Sequence, residues 1–304
     1  MKIKCEYKIY IEEKMPSAKT YTRSQYEKSF DLLMKYERIV VRRADQDTRA
    51  FDELVAICDT EEKYTLLDEL LSRFYYMEDE DYQNRVGQIA DHIIRMKYDP
   101  SKTVIMAMAH DHETDGSQDV LNVLQVALIM KGYNGFATDS RMDQRVDKNH
   151  YKKGIRNYVI VDDFVGTGRT ALKRYQSFVS TLNKSDIHVS FCIVCGMKFG
   201  VEFCHHNRMP LFCPVQLEKG LSGYYKGFEL SVKVYTMKEL EMNLADKIGD
   251  LELATYTMGW GQAESLYYRE GHNVPNNVYP IFWWKMYRDG SPRKTLFYRR
   301  QYGY

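Results

Sequence analysis

The chain has 304 residues, a formal net charge of +1 and 44% hydrophobic residues, enough for one large or two ordinary domains with a sizeable core. A charge so close to zero excludes a global attraction to nucleic acid or membranes, so any such affinity must come from a local patch. The apolar runs are strand-sized and the first residues lack a secretory apolar region, so we expect a cytoplasmic protein with no membrane partner.

The first hundred residues are predicted to be mostly helical. Apolar residues recur there at helical spacing, and the charged residues between them indicate solvated faces. Asp99 precedes a proline and therefore marks the end of this region, because the residue before proline resists helix. Helices are predicted at residues 22–41, 51–58, 64–76 and 81–95.

Strand and helix patterns alternate after residue 100, which predicts a parallel, doubly wound sheet. Residues 132–138 lead from the first helix of this region back to the sheet. Strands are predicted at residues 103–109, 158–161, 187–194 and 211–217, and helices at residues 119–131, 171–182 and 197–204.

A polar loop, residues 110–118, joins the first of these strands to its helix. Gly116 and Ser117, at the helix start, are candidates for binding an anion through backbone N–H groups. The loop also contains several carboxylates, which would repel an anion unless a cation intervenes. Three interpretations stay open: a substrate-facing loop, a metal site using His110 and His112 with Glu113, and a plain surface loop.

Residues 139–156 form a polar segment with many Lys and Arg side chains. Arg141 and Lys153 are the candidate catalytic residues among them. The alternative is a solvated connector between two elements of the sheet region.

The most informative segment spans residues 158–170 and reads Tyr-Val-Ile-Val-Asp-Asp-Phe-Val-Gly-Thr-Gly-Arg-Thr. Its apolar run predicts a buried parallel strand, and ligands of α/β proteins bind at the carboxyl ends of such strands. Asp162 and Asp163 suit sugar hydroxyls or a hydrated Mg²⁺. The loop that follows can cradle a phosphate with backbone N–H groups and hydroxyls. The candidate phosphate-binding residues are Val165, Gly166, Thr167, Gly168, Arg169 and Thr170.

This segment resembles the phosphoribosyl-pyrophosphate signature of the type I phosphoribosyltransferases, in which apolar residues and two acids precede a small-residue loop that closes on Thr or Ser. Phe164 is bulkier than usual at its position, and Gly166 replaces a more usual Ser, Thr, Ala or Val. The resemblance implies that Asp162 and Asp163 hold the ribose hydroxyls and that the following loop holds the 5-phosphate. It also places residues 110–118 where these enzymes bind pyrophosphate. Residues 139–156 would correspond to the flexible loop that closes over the reaction centre in the family, excludes water and brings cations to the departing pyrophosphate. The alternative for residues 158–170 is an ordinary strand–loop–helix unit.

Cys192 and Cys195 have the spacing of metal ligands. They fall within a predicted strand, however, where residues three apart face opposite sides and cannot easily share one ion. We therefore expect core thiols, with a metal site as the alternative.

Residues 235–304 are rich in turn formers and tryptophans, which predicts an irregular lobe over the sheet. Within it, residues 275–284 carry Pro-Asn-Asn followed by apolar residues and Trp, similar to the C-terminal region of phosphoribosyltransferase-like proteins from bacterial conflict and antiphage systems. Basic and aromatic residues interleave in residues 285–304, which suits single-stranded nucleic acid or plain structural packing.

Together these features predict an α/β protein with a type I phosphoribosyltransferase-like parallel sheet core at residues 101–234, an N-terminal helical region at residues 1–100 and a C-terminal hood lobe at residues 235–304. The resemblance implies Mg²⁺-dependent transfer or cleavage at the anomeric carbon of a ribose 5-phosphate donor, either phosphoribosyl pyrophosphate or a nucleotide. Asp162 and Asp163 would also hold the ion.

The biological setting that the resemblance implies is antiphage defence, with the chain as a toxin effector restrained by a regulatory protein or nucleic-acid partner. Two alternatives stay open: a sensor that binds the donor without turnover, and a nucleic-acid- or protein-binding module of a defence complex. No segment identifies the acceptor.

Overall fold

A computed structural model describes residues 21–39, 49–109, 116–142 and 144–299, without the side chains of residue 38 and residues 144–147. The N-terminal region is helical, as predicted, but the predicted helix at residues 64–76 ends earlier, and the residues after it form a strand. The elements are α1 (Arg23–Lys35), α2 (Arg49–Ala56), α3 (Glu61–Ser72), β1 (Tyr75–Met77) and α4 (Asp79–Arg95).

The early end of α3 has a tertiary cause. Tyr75 and Tyr76 pair in parallel with Tyr267 and Tyr268 of a distant strand. Their rings lie 6.2 and 5.7 Å from those of their partners. Aromatic residues favour strands when such cross-strand contacts exist, and local helical periodicity cannot reveal a partner so far along the chain.

The central region alternates strand and helix as predicted. Its sheet has the order β3-β2-β4-β5-β6, with β7 also beside β5, and every pairing is parallel. The α/β class is therefore confirmed. The elements are β2 (Thr103–Ala107), α5 (Gly116–Met130), β3 (Ala137–Asp139), α6 (Gln144–Lys152), β4 (Asn157–Val165), α7 (Arg169–Leu182), β5 (His188–Met197), α8 (Lys198–His206), β6 (Leu211–Phe212) and β7 (Val215–Leu217).

Helices cover both faces of this sheet. Side chains of α4 and α5 pack on one face with Val159 and Val161 of β4. Side chains of α7 and α8 pack on the other face with Tyr158 and Ile160. The strand predicted at 211–217 is instead split into β6 and β7 around Pro214, which has no N–H for a ladder.

The C-terminal lobe contains a helix that the sequence did not predict. Phe228 and Tyr235 of this helix are exposed while Met237 and Leu240 are buried, so apolar residues occupy both sides and no amphipathic stripe stands out. The predicted boundary at residue 234 falls inside it, and the division into three regions stays a prediction. The elements are α9 (Gly227–Glu241), β8 (Lys247–Ile248), β9 (Leu251–Glu252), α10 (Leu253–Tyr256) and β10 (Tyr267–Arg269).

The N-terminal helices and the C-terminal lobe share one hydrophobic core. Leu66 and Leu70 of α3 belong to the same buried cluster as Met237, Trp283 and Trp284. The described N-terminal helices and the lobe therefore stabilise one structure beside the sheet. None of the helices in the described ranges is long and apolar enough to cross a membrane.

Glu241, at the end of α9, makes the stability of this shared core depend on pH. It accepts a hydrogen bond from the backbone N–H of Met258 at 3.0 Å, and burial raises its pKa from 4.5 to about 8. The folded state therefore keeps a proton that the unfolded state releases above its ordinary pKa. Stability should fall as pH rises from about 4.5 to 8, by at most about 1.4 kcal/mol per pH unit.

We expect Glu241→Gln to remove this dependence and to be more stable than the unsubstituted chain at pH 8. Thermal unfolding at pH 5, 6.5 and 8 measures it. Glu229→Gln, an exposed carboxyl on the same helix, is the matched control. Parallel stability profiles for the Glu241 variant and the unsubstituted chain would contradict the assignment.

Candidate functional site

The two acidic residues lie inside β4, not after it, and they reach opposite faces of the sheet. Asp162 pairs with Ile193, which packs on the face that α7 covers. A methyl group on Gly116 would overlap the Asp163 carboxylate, so Asp163 lies against the start of α5 on the other face. The positive end of the α5 dipole favours a carboxylate at this position.

Ordinary strand alternation gives two adjacent residues opposite faces, and the alternation of β4 breaks only after these two acids. Ile160 and Ile193 face α7 and α8, whereas Phe164 and its partner Cys195 pack with the α4–α5 face. Two residues further along an ideal strand, the side chain should return to the same face. β4 and β5 therefore both change face just beyond Asp162.

The same break corrects the expectation for the cysteines. Ideal strand alternation puts Cys192 and Cys195 on opposite sides of β5, but both are buried in the cluster between the sheet and α4–α5. Burial raises the pKa of the Cys192 thiol to about 12, so these are neutral core thiols. Among the described residues, no group of three or more His, Cys, Asp or Glu side chains is arranged to hold a metal ion.

The loop after β4 is packed tightly against α8. Gly168 is the N-cap of α7 with φ +77°, and a methyl group there would come within 2.5 Å of Gly200 O and 2.9 Å of Cys204 Sγ. A methyl group on Gly200 would in turn overlap the carbonyl of Gly166. Both glycines are therefore required by close backbone approach and, at Gly168, by positive φ.

Cys204 of α8 contacts the loop with its side chain. Its thiol is buried and donates to Gly168 O at 3.6 Å. Burial raises the pKa of this thiol to about 11, so the group is a neutral packing element and not a nucleophile at neutral pH. Gly168 provides no side chain to cap α7, which leaves the first turn of that helix suited to an anion.

The C-terminal lobe contacts the same loop from the other side. The Asn277 carboxamide lies directly against Gly166, and a methyl group on Gly261 would come within 2.5 Å of Thr167 Cγ2. Asn277 Nδ2 donates to Trp260 O at 2.9 Å, which joins the two segments of the lobe above the loop.

A polar cavity of about 380 Å³ opens between these parts, within the range of roughly 300–1,000 Å³ that is usual for small-molecule sites. It brings together both predicted carboxylates and most of the predicted loop. Its lining residues are Met108, Asp162, Asp163, Phe164, Val165, Gly166, Thr167, Gly168, Thr170, Ala171, Arg174, Trp260, Asn276 and Asn277.

Arg174, Trp260, Asn276 and Asn277 belong to this cavity although sequence reasoning did not select them. Arg174 lies one helical turn after Thr170, a spacing that puts both on one face of α7, and its guanidinium donates to Met108 O. From the sequence, that spacing could have indicated that Arg174 lies near the predicted phosphate loop. For Trp260, only the flanking glycines hinted at an exposed turn, and its side chain is 43% exposed.

Other predicted site residues lie apart from this lining. Arg169 is exposed at the start of α7, and Lys153 is exposed just after α6. Arg141 lies between β3 and α6, and its backbone N–H donates to Asp139 at 3.3 Å. Gly116 begins α5, where Ser117 is fully buried. The roles assigned to these five residues stay predictions.

Two predicted features fall wholly or partly outside the described residues. The loop at 110–118 is described only from Gly116 onward, so its histidines and acids lie outside the described ranges. The basic, aromatic tail is described to residue 299, and Arg299 in it donates to Val274 O at 2.7 Å.

The arrangement can hold a phosphorylated sugar. Backbone donors and the start of α7 suit a phosphate, while Asp162 beside them suits hydroxyl groups. Arg174 adds a positive charge at the edge of the cavity, next to Met108, which directly follows β2. Mg²⁺ commonly binds one or two carboxylates together with ligand phosphates and water, and diverging Asp162 and Asp163 fit this mode better than joint chelation of a bare ion.

Comparisons with known proteins point to one family. The family model described as PRTase-CE matches residues 51–299. No curated protein matches the chain significantly.

Among solved structures, the chain is similar to hypoxanthine-guanine phosphoribosyltransferase from Schistosoma mansoni in complex with IMP, with 13% identity and a TM-score of 0.31 over 47% of this chain and 65% of that one. The chain thus covers slightly less than two thirds of the schistosome protein. It is also similar to a hypothetical protein from Neisseria gonorrhoeae with bound ppGpp (11% identity, TM-score 0.31, 48% of this chain and 85% of that one). A phosphoribosyltransferase from Corynebacterium diphtheriae shows 10% identity and a TM-score of 0.27 over 63% of this chain and 96% of that one.

The packing at Gly168 yields a stability prediction. Gly168→Ala adds a methyl group against Gly200 O in a backbone conformation with positive φ. Gly154→Ala is the matched control, since Gly154 has φ +93° and a methyl group there would meet no described atom within 4 Å. Both substitutions carry the cost of positive φ, about 1–2 kcal/mol.

We expect Gly168→Ala to lower the free energy of unfolding by a further 1–3 kcal/mol or so, because the overlap forces the loop or α8 to move. Urea unfolding of the two variants and the unsubstituted chain measures the difference. Equal losses in the two variants would show that the loop is not tightly packed.

Proposed function

Since the chain belongs to the PRTase-CE family, we propose that it binds a ribose 5-phosphate donor, phosphoribosyl pyrophosphate or a nucleotide, and catalyses transfer or cleavage at the anomeric carbon. The observation that carries this proposal is the cavity that joins Asp162 and Asp163 to the glycine loop at the start of α7. Sugar-binding acceptors and phosphate-binding donors lie side by side there, as a ribose 5-phosphate requires.

The loop takes the phosphate in this proposal. Val165 to Thr170 offer backbone N–H groups, the Thr167 and Thr170 hydroxyls and the uncapped start of α7. The dipole of this helix favours the negative charge. Asp162 accepts hydrogen bonds from ribose hydroxyls on the side that α7 covers, and Asp163 reaches the same cavity from the α5 side.

In the proposed reaction, the bond between the anomeric carbon and the leaving atom breaks, and its electron pair goes to that atom, an oxygen of pyrophosphate in phosphoribosyl pyrophosphate or a nitrogen of the base in a nucleotide. The carbon accepts an electron pair from the incoming nucleophile, whose proton passes to solvent. The enzyme contributes mainly by holding the donor in a reactive orientation. Arg174 at the cavity rim, with Arg141 and Lys153 as further candidates, would stabilise the charge of the leaving group.

Mg²⁺ is part of the proposal, with Asp162 and Asp163 as the residues that would hold it through water and the donor's phosphates. When bound, the ion would neutralise charge on pyrophosphate oxygens. We also propose a cytoplasmic setting in bacterial antiphage defence, where a protein or nucleic-acid partner restrains the effector. The resemblance of residues 275–284 to conflict-system proteins motivates this setting.

A second function, donor sensing without turnover, is favoured by one specific observation. Asp163 lies against the start of α5, where a departing pyrophosphate would otherwise meet the positive end of that helix. A carboxylate in this position repels a second anion. The chain would then bind the ribose phosphate end of the donor without stabilising the departing pyrophosphate.

Catalysis and sensing are separated by one assay. The chain is incubated with Mg²⁺, phosphoribosyl pyrophosphate and a panel of bases, nucleotides and cellular RNA, and pyrophosphate release is followed. We expect release above that of Asp162→Asn/Asp163→Asn. No release, together with a melting temperature raised by the donor, would instead favour sensing, because binding alone stabilises the folded state.

A separate measurement of RNA binding at low and high salt, with and without the donor, addresses the third possibility, a module that binds nucleic acid or protein through its tail. Salt-sensitive RNA binding without any effect of the donor would favour that function. It would contradict both proposals that place a ribose phosphate in the cavity.

The divergence of the two carboxylates predicts different single-mutant effects. Asp162→Asn should weaken donor binding by about 1.5–3 kcal/mol, or roughly 10- to 150-fold, because charge-assisted hydrogen bonds to ribose are lost. Asp163→Asn should lower thermal stability more than Asp162→Asn does, because it removes a charge from the start of α5. Calorimetry and thermal unfolding of each variant measure both effects. Unchanged donor affinity in Asp162→Asn would refute the assignment of that residue.

A further inference from the structure

The structure assigns a ligand-binding role to Asn277 of the C-terminal lobe: its carboxamide donates to the phosphate held by the glycine loop. This inference rests on the proposed function, since it takes the loop at residues 165–170 to be the phosphate site. It adds a residue from a different part of the chain and makes the lobe a wall of the site.

The position of Asn277 supports the role. Its side chain lines the same cavity as the loop, and its carboxamide lies so close to Gly166 that a methyl group there would overlap three of its atoms. Asn277 is only 8% exposed, so the carboxamide is held among protein groups and faces the loop instead of bulk water.

The orientation of the carboxamide is fixed by the lobe itself. Nδ2 donates one hydrogen bond to Trp260 O at 2.9 Å. The backbone N–H of Trp260 donates to Asn276 O at 2.8 Å, and the N–H of Ser265 donates to Asn277 O at 3.1 Å. These bonds lock the segment at 276–277 onto the turn at 260–262, so that little side-chain entropy remains to be lost when a ligand binds.

The carboxamide retains a donor for the ligand. A side-chain amide nitrogen has two N–H groups, and within the described part of the chain only Trp260 O accepts from Asn277 Nδ2. The second N–H lies beside a loop whose own donors suit a phosphate. A nearly buried donor is costly to leave unpaired, and a phosphate oxygen would satisfy it.

The sequence of the loop agrees with this geometry. Any side chain at position 166 would occupy the space of the Asn277 carboxamide. Glycine at this position leaves room for Asn277, so an amide of the lobe lies where a side chain of the loop would otherwise be. The ligand class is therefore a sugar phosphate, recognised at its phosphate end by core and lobe together.

The test compares Asn277→Ala and Asn277→Asp with the unsubstituted chain and with Asn134→Ala, an exposed asparagine in a turn far along the chain from the loop. Calorimetry measures binding of ribose 5-phosphate, and thermal unfolding measures stability. Both Asn277 variants lose the hydrogen bond to Trp260 O, so a merely structural role predicts that each loss of affinity follows that variant's loss of thermal stability.

A phosphate-binding role predicts a graded loss of affinity. Asn277→Ala should weaken ribose 5-phosphate binding by about tenfold, as expected for a lost hydrogen bond to a charged group. Asn277→Asp should weaken it by at least a further tenfold or so, because like charges then face each other. Asn134→Ala should bind as the unsubstituted chain does.

The outcomes separate this inference from the proposed function. If the unsubstituted chain binds ribose 5-phosphate and both Asn277 variants bind equally well, or each loses affinity only in step with its loss of thermal stability, the inference is overturned and the phosphate loop stands. If the unsubstituted chain binds neither ribose 5-phosphate nor phosphoribosyl pyrophosphate, the proposed function fails first.

A second measurement does not depend on folding of the variants. In a crystal structure of the unsubstituted chain with ribose 5-phosphate, Asn277 Nδ2 should lie within about 3.2 Å of a phosphate oxygen. A phosphate in the loop with the carboxamide pointing elsewhere would overturn the inference.

Discussion

The close packing of one glycine loop governs the site. Residues 166–168 lie between α8, which touches them through Gly200 and Cys204, and the C-terminal lobe, which touches them through Gly261 and Asn277. Because both neighbours contact the loop closely, the loop has little room to move. The backbone donors are therefore held in place before a ligand arrives, which reduces the ordering cost of binding. The sheet region, through α8, and the lobe therefore meet at the same short segment.

The alternation of β4 gives two neighbouring acids different surroundings. Asp162 remains on the face covered by α7, and Asp163 turns toward α5. One carboxylate therefore lies on the side of the helix that starts at the glycine loop, whereas the other stabilises the start of a different helix. A sequence motif alone treats such a pair as equivalent, whereas their alternation along the strand places them beside different helices.

Much of the core was predictable, because its signals are local. The apolar run of β4, the glycines after it and the alternation of strands and helices each depend on neighbouring residues. β1 and α9 were not predictable in this way, since Tyr75 needs its partner Tyr267 and α9 has apolar residues on both sides. Trp260 and Asn277 were missed for the same reason: they reach the loop only through tertiary packing.

The two departures from the phosphoribosyltransferase signature now have a common explanation in the lobe. The ring of Phe164 stacks on that of Tyr267 in β10, with centroids 4.8 Å apart and planes 7° apart, so a bulky residue at this position connects β4 to the lobe. Gly166 leaves the space that Asn277 fills. A smaller residue at 164 would lose this stacking, and a larger one at 166 would displace the carboxamide. The signature strand and the C-terminal lobe therefore fit each other at these two positions, and the cavity between them belongs to both.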